Sequence, residues 1–337
     1  MERLEMIRTI KSFEYFEAKT VEHAIDILSM YGKKAKVLAG GTDLLISMKE
    51  RKINPQYAVY IKNVPELNYI NYRREFGLEI GAATTLQSIA SNPTVLEKFG
   101  ALATACSKVG TPQIRNMGTI GGNLCQDTKC LYCGPILPKE ETSCYRGGGN
   151  ICYAVTGAKR CQAMAIAETA SILICLDAEV SISTPIGQKT TPLEDFFISS
   201  GIVNLKEDEI LTAIKVPNLP PNTAGIYLRH SLKGALGFAL VGVAAVLTVI
   251  NGVCEDARIS LLGVARTPIR ARKVEQLLKG EKIKDTPINQ AAQAVLEEAH
   301  PLGDIFGSAR YRREMLKVLS KQAINDVYQK LITLARI

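Results

Sequence analysis

The feature of this 337-residue chain that most restricts what it can become is a crowd of cysteines. Six of the nine (Cys125, Cys130, Cys133, Cys144, Cys152 and Cys161) fall between positions 125 and 161, where even spacing would place about one. The same stretch holds Gly134-Pro135, Pro138, Gly147-Gly148-Gly149 and the basic residues Arg146, Lys159 and Arg160, with little apolar periodicity. Such a segment cannot bury a core of its own and needs something to nucleate it. The start, Met1-Glu-Arg-Leu-Glu, is charged and lacks the apolar stretch of a secretory signal, so a cytoplasmic chain with reduced thiols is expected rather than a disulfide framework. Metal ligation would supply the folding free energy that apolar burial does not. The residues alone leave three readings open. A zinc site favours paired C-x-x-C knuckles, and only Cys130 to Cys133 has that spacing, with no histidine nearby. The wider gaps suit four thiolates converging on an iron–sulfur cubane, although they match neither standard ferredoxin run. Reduced thiols in a surface loop are the third. Cys106, Cys175 and Cys254 sit in apolar patterns and are expected in the core.

The rest of the composition narrows the function classes. Lys plus Arg is 41 against 33 for Asp plus Glu, a net charge of +8, but the surplus is dispersed and no aromatic-rich basic patch accompanies it, which argues against nucleic acid. With 47% hydrophobic and 22% charged residues the chain is globular and long enough for two or three domains. Only three histidines (His23, His230, His300) and no tryptophan are present, which argues against a histidine metal site or triad. Gly234 to Cys254 runs without a charge and has to be weighed as a membrane span. Its glycines, and Asn251-Gly252 between two apolar runs, point instead to a buried antiparallel hairpin returning along Ala257–Val264.

Two glycine turns suggest a dinucleotide. Lys36–Ala39 reads as a short strand running into Gly40-Gly41-Thr42-Asp43-Leu44. There consecutive backbone N–H groups can cradle an anion, and a helix starting near Thr42 or Asp43 can aim its positive end at a phosphate. Gly118-Thr119-Ile120-Gly121-Gly122-Asn123 repeats this chemistry, so that two loops could hold one pyrophosphate from both sides. Between them Gly81-Ala-Ala-Thr-Thr follows the strand Gly77–Ile80. Neither turn is a G-x-G-x-x-G fingerprint or a P-loop, and neither separates FAD from NAD or a nucleotide sugar.

Val37-Leu38-Ala39-Gly40-Gly41-Thr42-Asp43-Leu44, Gly81–Thr85 and Gln113–Asn123, with Gly263–Ala271 and Ser308–Arg313 near the end, together resemble the FAD-binding subunits of the molybdenum hydroxylases, the family of xanthine and carbon monoxide dehydrogenases. The resemblance spans nearly the whole chain. It implies an α+β fold: a two-part FAD-binding domain of the vanillyl-alcohol-oxidase/PCMH type and a C-terminal α+β domain with an antiparallel sheet. One departure is specific. In most members an acidic residue follows the Gly-Gly-Asn loop closely, whereas here about 40 residues carrying the cysteines intervene. That insertion resembles the flavin subunit of 4-hydroxybenzoyl-CoA reductases, which carries an extra 4Fe–4S cluster there. The resemblance implies Cys144, Cys152 and Cys161 as ligands, with Cys130 as the fourth in preference to Cys125 or Cys133. It further implies that Val109, Gly110 and Thr111 line the flavin, with weaker carry-overs at Leu211 and Arg229, the latter where relatives often have Lys. Glu168 stands where the family usually has Asp, so its contact distance to a ribityl or ribose hydroxyl is open.

The organisation expected is residues 1–60 as a first FAD-binding subdomain, 61–220 as a second with the insertion at about 124–163, and 221–337 as the C-terminal domain after the proline-rich connector Pro217–Pro221. Thr20 begins a capped helix bearing His23 on its surface. Ile172–Ala178 and Glu179–Ser183 read as strands. Leu316, Leu319, Ala323, Val327 and Leu331 recur as a helical core stripe. No catalytic residue for substrate chemistry is expected: the chain offers no paired-carboxylate acid/base site and no nucleophile elbow, and its task is electron transfer by FAD and 4Fe–4S. The implied partners are a molybdopterin-containing large subunit and a 2Fe–2S small subunit, in a dimer of heterotrimers. An external one-electron carrier such as ferredoxin would complete the chain. The large subunit would reductively dehydroxylate an aromatic acyl-CoA. The alternatives are a xanthine- or aldehyde-type flavin subunit using NAD, and a zinc-stabilised assembly module without flavin.

Overall fold

The computed structural model describes residues 10–130, 132–133, 143–232, 234, 237–304 and 306–335. Part of the cysteine stretch, Gly134 to Thr142, lies outside them. The first unit is a three-stranded parallel sheet in the order β1-β3-β2, from β1 (Glu14–Glu17), β2 (Ala35–Leu38) and β3 (Tyr57–Tyr60). The expected helix joins β1 to β2 over Val21–Tyr31. The Thr20 side chain caps it by accepting from the His23 backbone N–H at 3.1 Å, and Ala24, Ile25 and Leu28 face inward. This core is not sealed at residue 60, because Val64, Leu67, Ala83 and Ile210 pack into it.

The second sheet is antiparallel in the order β4-β5-β10-β6-β7. It is built from β4 (Ile70–Arg73), β5 (Gly77–Gly81), β6 (Glu179–Thr184), β7 (Gly187–Pro192) and, after the small pair β8 (Phe197–Ser199) and β9 (Ile202–Val203), β10 (Ile210–Val216). Short helices and the cysteine lobe fill the long connection from β5 to β6. One expectation fails here. Ile172–Ala178 is not a strand: Glu168–Cys175 is a helix with every residue buried. A helix enclosed on all sides shows no polar face, so its apolar run reads the same as a buried strand.

The third sheet is antiparallel, β11-β12-β13-β14, from β11 (Thr223–His230), β12 (Val241–Ile250), β13 (Val253–Leu262) and β14 (Ile269–Arg270). The hairpin turn falls at Asn251 and Gly252, both at positive φ (51° and 79°), as a primed turn requires. The charge-free run is thereby explained. Along β12, Ala244 and Val246 enter the core shared with the helix Glu168–Cys175, while Val243, Ala245 and Leu247 enter the core beneath the long C-terminal helix Ala309–Ala335. A strand buried on both faces has no polar alternation. Among the described residues no helix is long and apolar enough to cross a membrane. Leu316, Leu319, Ala323, Val327 and Leu331 are all buried on that helix.

Candidate functional site

The two glycine loops meet. A Cβ built on Gly40 would stand 2.0 Å from the Met117 carbonyl oxygen, and one on Gly118 would stand 3.4 Å from the Thr42 hydroxyl. No side chain fits at Gly40 without parting the loops. Gly41 holds φ at 72°, a conformation that favours glycine. The loops differ in what they can offer a ligand. Among the described residues no acceptor takes the backbone N–H groups of Gly40, Gly41, Thr42 or Asp43, so the first loop presents consecutive free donors of the kind that bind a phosphate oxygen.

In the second loop most of those donors are already used, the Thr119 backbone N–H alone having no acceptor among the described residues. Gly118 donates to Ile114 O at 2.6 Å, Ile120 to Thr84 O at 3.0 Å, and Gly121 to Ala82 O at 2.9 Å. Gly122 donates to the Thr119 hydroxyl at 3.0 Å. The two loops are therefore unequal in free donors, and the second stands as a wall that the first loop faces.

The side chains sort further. Asp43 does not cap the following helix, Leu44–Lys49. Its carboxylate accepts from the Asp127 backbone N–H at 3.0 Å and pairs with Lys129, tying the first loop to the start of the cysteine lobe. Asn123 is likewise structural, its amide oxygen accepting from the Thr169 hydroxyl at 2.6 Å in a buried contact. The neighbour Glu168 is buried and accepts from Arg229 at 2.5 Å and Tyr227 at 3.2 Å. Burial pushes its carboxyl up to about 7, although Arg229 and Tyr227 both favour the charged form. Arg229 also donates to the carbonyls of Gly237 (3.0 Å) and Gly234 (2.9 Å), fixing the loop after β11. Leu211 is buried in the main core, and Val109 packs against that core. Gly110 has φ 50° and Thr111 caps the helix Pro112–Met117. Val37 and Ala39 pack against the first core, and Leu38 and Leu44 are half-buried beside the loop.

The cysteines converge. Cys130, Cys133, Cys144, Cys152 and Cys161 line one cavity with Arg146; Cys125 is not among its walls. Loop 143–151 is wound around Cys144, whose carbonyl accepts from Gly147 at 2.8 Å and Gly149 at 2.9 Å. Burial pushes the Cys130 thiol up; the Tyr132 backbone N–H opposes this, and the nearby thiols of Cys161, Cys144 and Cys152 add to it. Burial raises Cys133 to about 11, Cys144 and Asp127 reinforcing and Arg146 and Lys52 opposing. Arg146 is itself held by Asp127 and by the Ser200 carbonyl at 2.8 Å. Among the described residues no three His, Cys, Asp or Glu side chains close on the position of one metal ion. As a donor set, these thiols are soft ligands of the kind a multinuclear iron–sulfur centre would use, each thiolate then holding a different iron.

Tyr227, Thr169, Asp127 and Lys129 are the site residues that the sequence reading missed. Tyr227 had a signal: two positions before Arg229 on one strand, it shares that residue's face. The others became neighbours only through the fold.

A parallel three-stranded unit, an antiparallel sheet and a second antiparallel sheet under a long helix, with a glycine cradle between the first two, define a two-part flavin-binding scaffold with a C-terminal α+β domain. Residues 11–219 match the FAD binding domain in molybdopterin dehydrogenase, and residues 227–327 match the CO dehydrogenase flavoprotein C-terminal domain. The chain belongs to this family of FAD-binding subunits. It is 29% identical over 321 residues to the carbon monoxide dehydrogenase medium chain of Hydrogenophaga pseudoflava, covering 94% of this chain and 98% of that one. To the xanthine dehydrogenase FAD-binding subunit of Escherichia coli O157:H7 it is 27% identical over 313 residues, covering 93% and 94%. The structure superposes on carbon monoxide dehydrogenase from Hydrogenophaga pseudoflava with a TM-score of 0.81 at 28% identity, covering 95% and 99%. The fold expected from the resemblance is thus correct, and the chain is the flavin subunit of a molybdenum hydroxylase-type oxidoreductase complex.

Proposed function

We propose that this subunit binds FAD at the Gly40–Asp43 cradle and a 4Fe–4S cluster in the cysteine lobe, and that it relays electrons within a complex of the 4-hydroxybenzoyl-CoA reductase type. The single observation that carries the finer reading is the convergence of Cys130, Cys144, Cys152 and Cys161 on one cavity. Cys133 lines it too and is the competitor of Cys130 for the fourth position. When bound, FAD exchanges electron pairs for single electrons, and a cluster passes single electrons onward.

The protein's share of this work is placement. The free N–H groups of Gly40–Asp43 would bind the pyrophosphate, and the Met117–Gly118 wall would exclude water from its far side. Glu168, held by Arg229 and Tyr227, would present a carboxyl of adjustable charge beside the flavin. Asp43 and Lys129 would hold the lobe at a fixed distance from that cradle. A molybdopterin large subunit and a 2Fe–2S small subunit are the proposed partners, an aromatic acyl-CoA the proposed substrate of the large one, and a ferredoxin-like carrier the external partner.

Anaerobically purified protein is expected to contain one FAD and about four irons and four acid-labile sulfides per chain. Cys152→Ser is expected to abolish the iron while leaving FAD bound. Flavin with no iron would leave the second reading, a xanthine- or aldehyde-type flavin subunit; one zinc per chain would sink the cluster.

A further inference from the structure

The cradle offers a phosphate donors but no positive charge. Its backbone N–H groups are neutral, and its one ionic side chain, Asp43, is an anion already paired with Lys129. The facing wall, Met117 and Gly118, has no ionised side chain. A cation beside a phosphate oxygen adds attraction that a neutral donor does not.

The sheet topology brings one. β1, β2 and β3 run parallel with β3 in the centre, and a parallel sheet takes its ligands beyond the carboxyl ends of its strands. At that end β2 leads into Gly40, and β3 leads into Ile61 and Lys62. The two exits are tied together, because the Ile61 backbone N–H donates to the Leu38 carbonyl at 3.0 Å. The Asn68 amide donates to the carbonyls of Lys62 and Val64 and so fixes the turn. From there the half-buried Lys62 side chain runs to the wall, its Nζ 3.4 Å from the Met117 Sδ. The carbonyl of that same Met117 is the atom that closes on Gly40.

The Lys62 ammonium is unneutralised. A thioether is a weak acceptor, and among the described residues no carboxylate pairs with this lysine. Glu17, at the same end of β1, accepts from the Asn63 amide at 3.1 Å and pairs with Lys19 at 3.6 Å. Glu66 accepts from the Val21 backbone N–H at 3.2 Å. The other cations beside the loops are engaged: Lys129 with Asp43, and Arg115 with the Gln87 side chain and the carbonyls of Val109 and Gly110.

We infer that Lys62 is a binding residue for the pyrophosphate of FAD, its ammonium turning from the Met117 thioether to a phosphate oxygen held at Gly40–Asp43. The flexible four-carbon stem permits that turn without moving the backbone. The inference rests on the proposal that FAD occupies the cradle.

Flavin-free full-length protein is titrated with FAD, followed by flavin fluorescence, at low and at high KCl. Lys62→Met, which keeps the stem and removes the charge, is expected to raise Kd roughly ten-fold at low salt. It is also expected to flatten the salt dependence that the wild type shows, because salt screens the lost charge pair. Lys62→Arg, which keeps the charge, is expected to bind within about three-fold of the wild type. Urea midpoints equal to that of the wild type show that both variants fold. Equal Kd and equal salt dependence in Lys62→Met and the wild type, or Lys62→Arg as weak as Lys62→Met, would overturn the assignment while leaving FAD in the cradle. Wild-type protein that binds no FAD would sink the cradle reading itself, and this inference with it.

Discussion

At the scale of single residues, the site depends on atoms that have no room to move. Gly40 is the clearest case, because even a methyl group there would collide with the Met117 carbonyl at 2.0 Å. Gly40→Ala is expected to part the two loops and weaken FAD retention roughly ten-fold or more, equivalent to at least about 1.4 kcal/mol. The ratio of flavin to protein absorbance after gel filtration measures this, and unchanged flavin content would refute the cradle. Glu168 carries a pH signature. Its carboxyl is pushed up to about 7 in the fold from the usual value of about 4.3. Between those values the folded protein holds a proton that the unfolded chain has lost, so this residue's contribution to stability falls as pH rises through that window. The groups facing it are Arg229 and Tyr227 from β11. Glu168→Gln is expected to remove this slope, worth about 1–3 kcal/mol, in urea unfolding of the flavin-free protein at pH 5 and pH 8.

At the scale of elements, the lobe is attached rather than inserted at random. Asp43, at the head of the helix Leu44–Lys49, reaches across to Asp127 and Lys129, and Arg146 anchors the far side through Asp127 and the Ser200 carbonyl. Asp43→Ala is expected to reduce both flavin and iron content, whereas Cys152→Ser reduces iron alone. Metal analysis and flavin release on the two variants separate these outcomes. The elements themselves were unevenly readable. The helix after Thr20 announced itself through its cap, and the hairpin through Asn251-Gly252. The helix Glu168–Cys175 did not, because burial on every side removes the polar face by which a helix is recognised.

At the scale of the whole molecule, three sheets are joined by shared cores. Ala244 and Val246 of the C-terminal sheet lie in the same core as the second sheet, so the parts that frame the site cannot swing freely. The family is one of subunits, and native mass spectrometry is expected to find this 36.7 kDa chain bound to a molybdopterin-containing and a 2Fe–2S-containing chain in equal numbers. A native mass of the chain alone under conditions that retain molybdenum would contradict that.

Local chemistry was written in the sequence. Turn glycines, capping residues, the cysteine crowd and the apolar runs each act through neighbours a few positions away, and they determined the strand-and-turn skeleton, the cradle at Gly40–Asp43 and the thiol-rich lobe. Tertiary structure alone decided which donors stay free, because Ile120 and Gly121 lose theirs to Thr84 and Ala82, carbonyls nearly forty positions earlier. It also decided that Asp43 serves the lobe, that Tyr227 and Arg229 close on Glu168, and that Cys133 joins the cavity while Cys125 stays out. Those outcomes rest on distances between segments remote in the chain, and no local pattern of side chains records a distance.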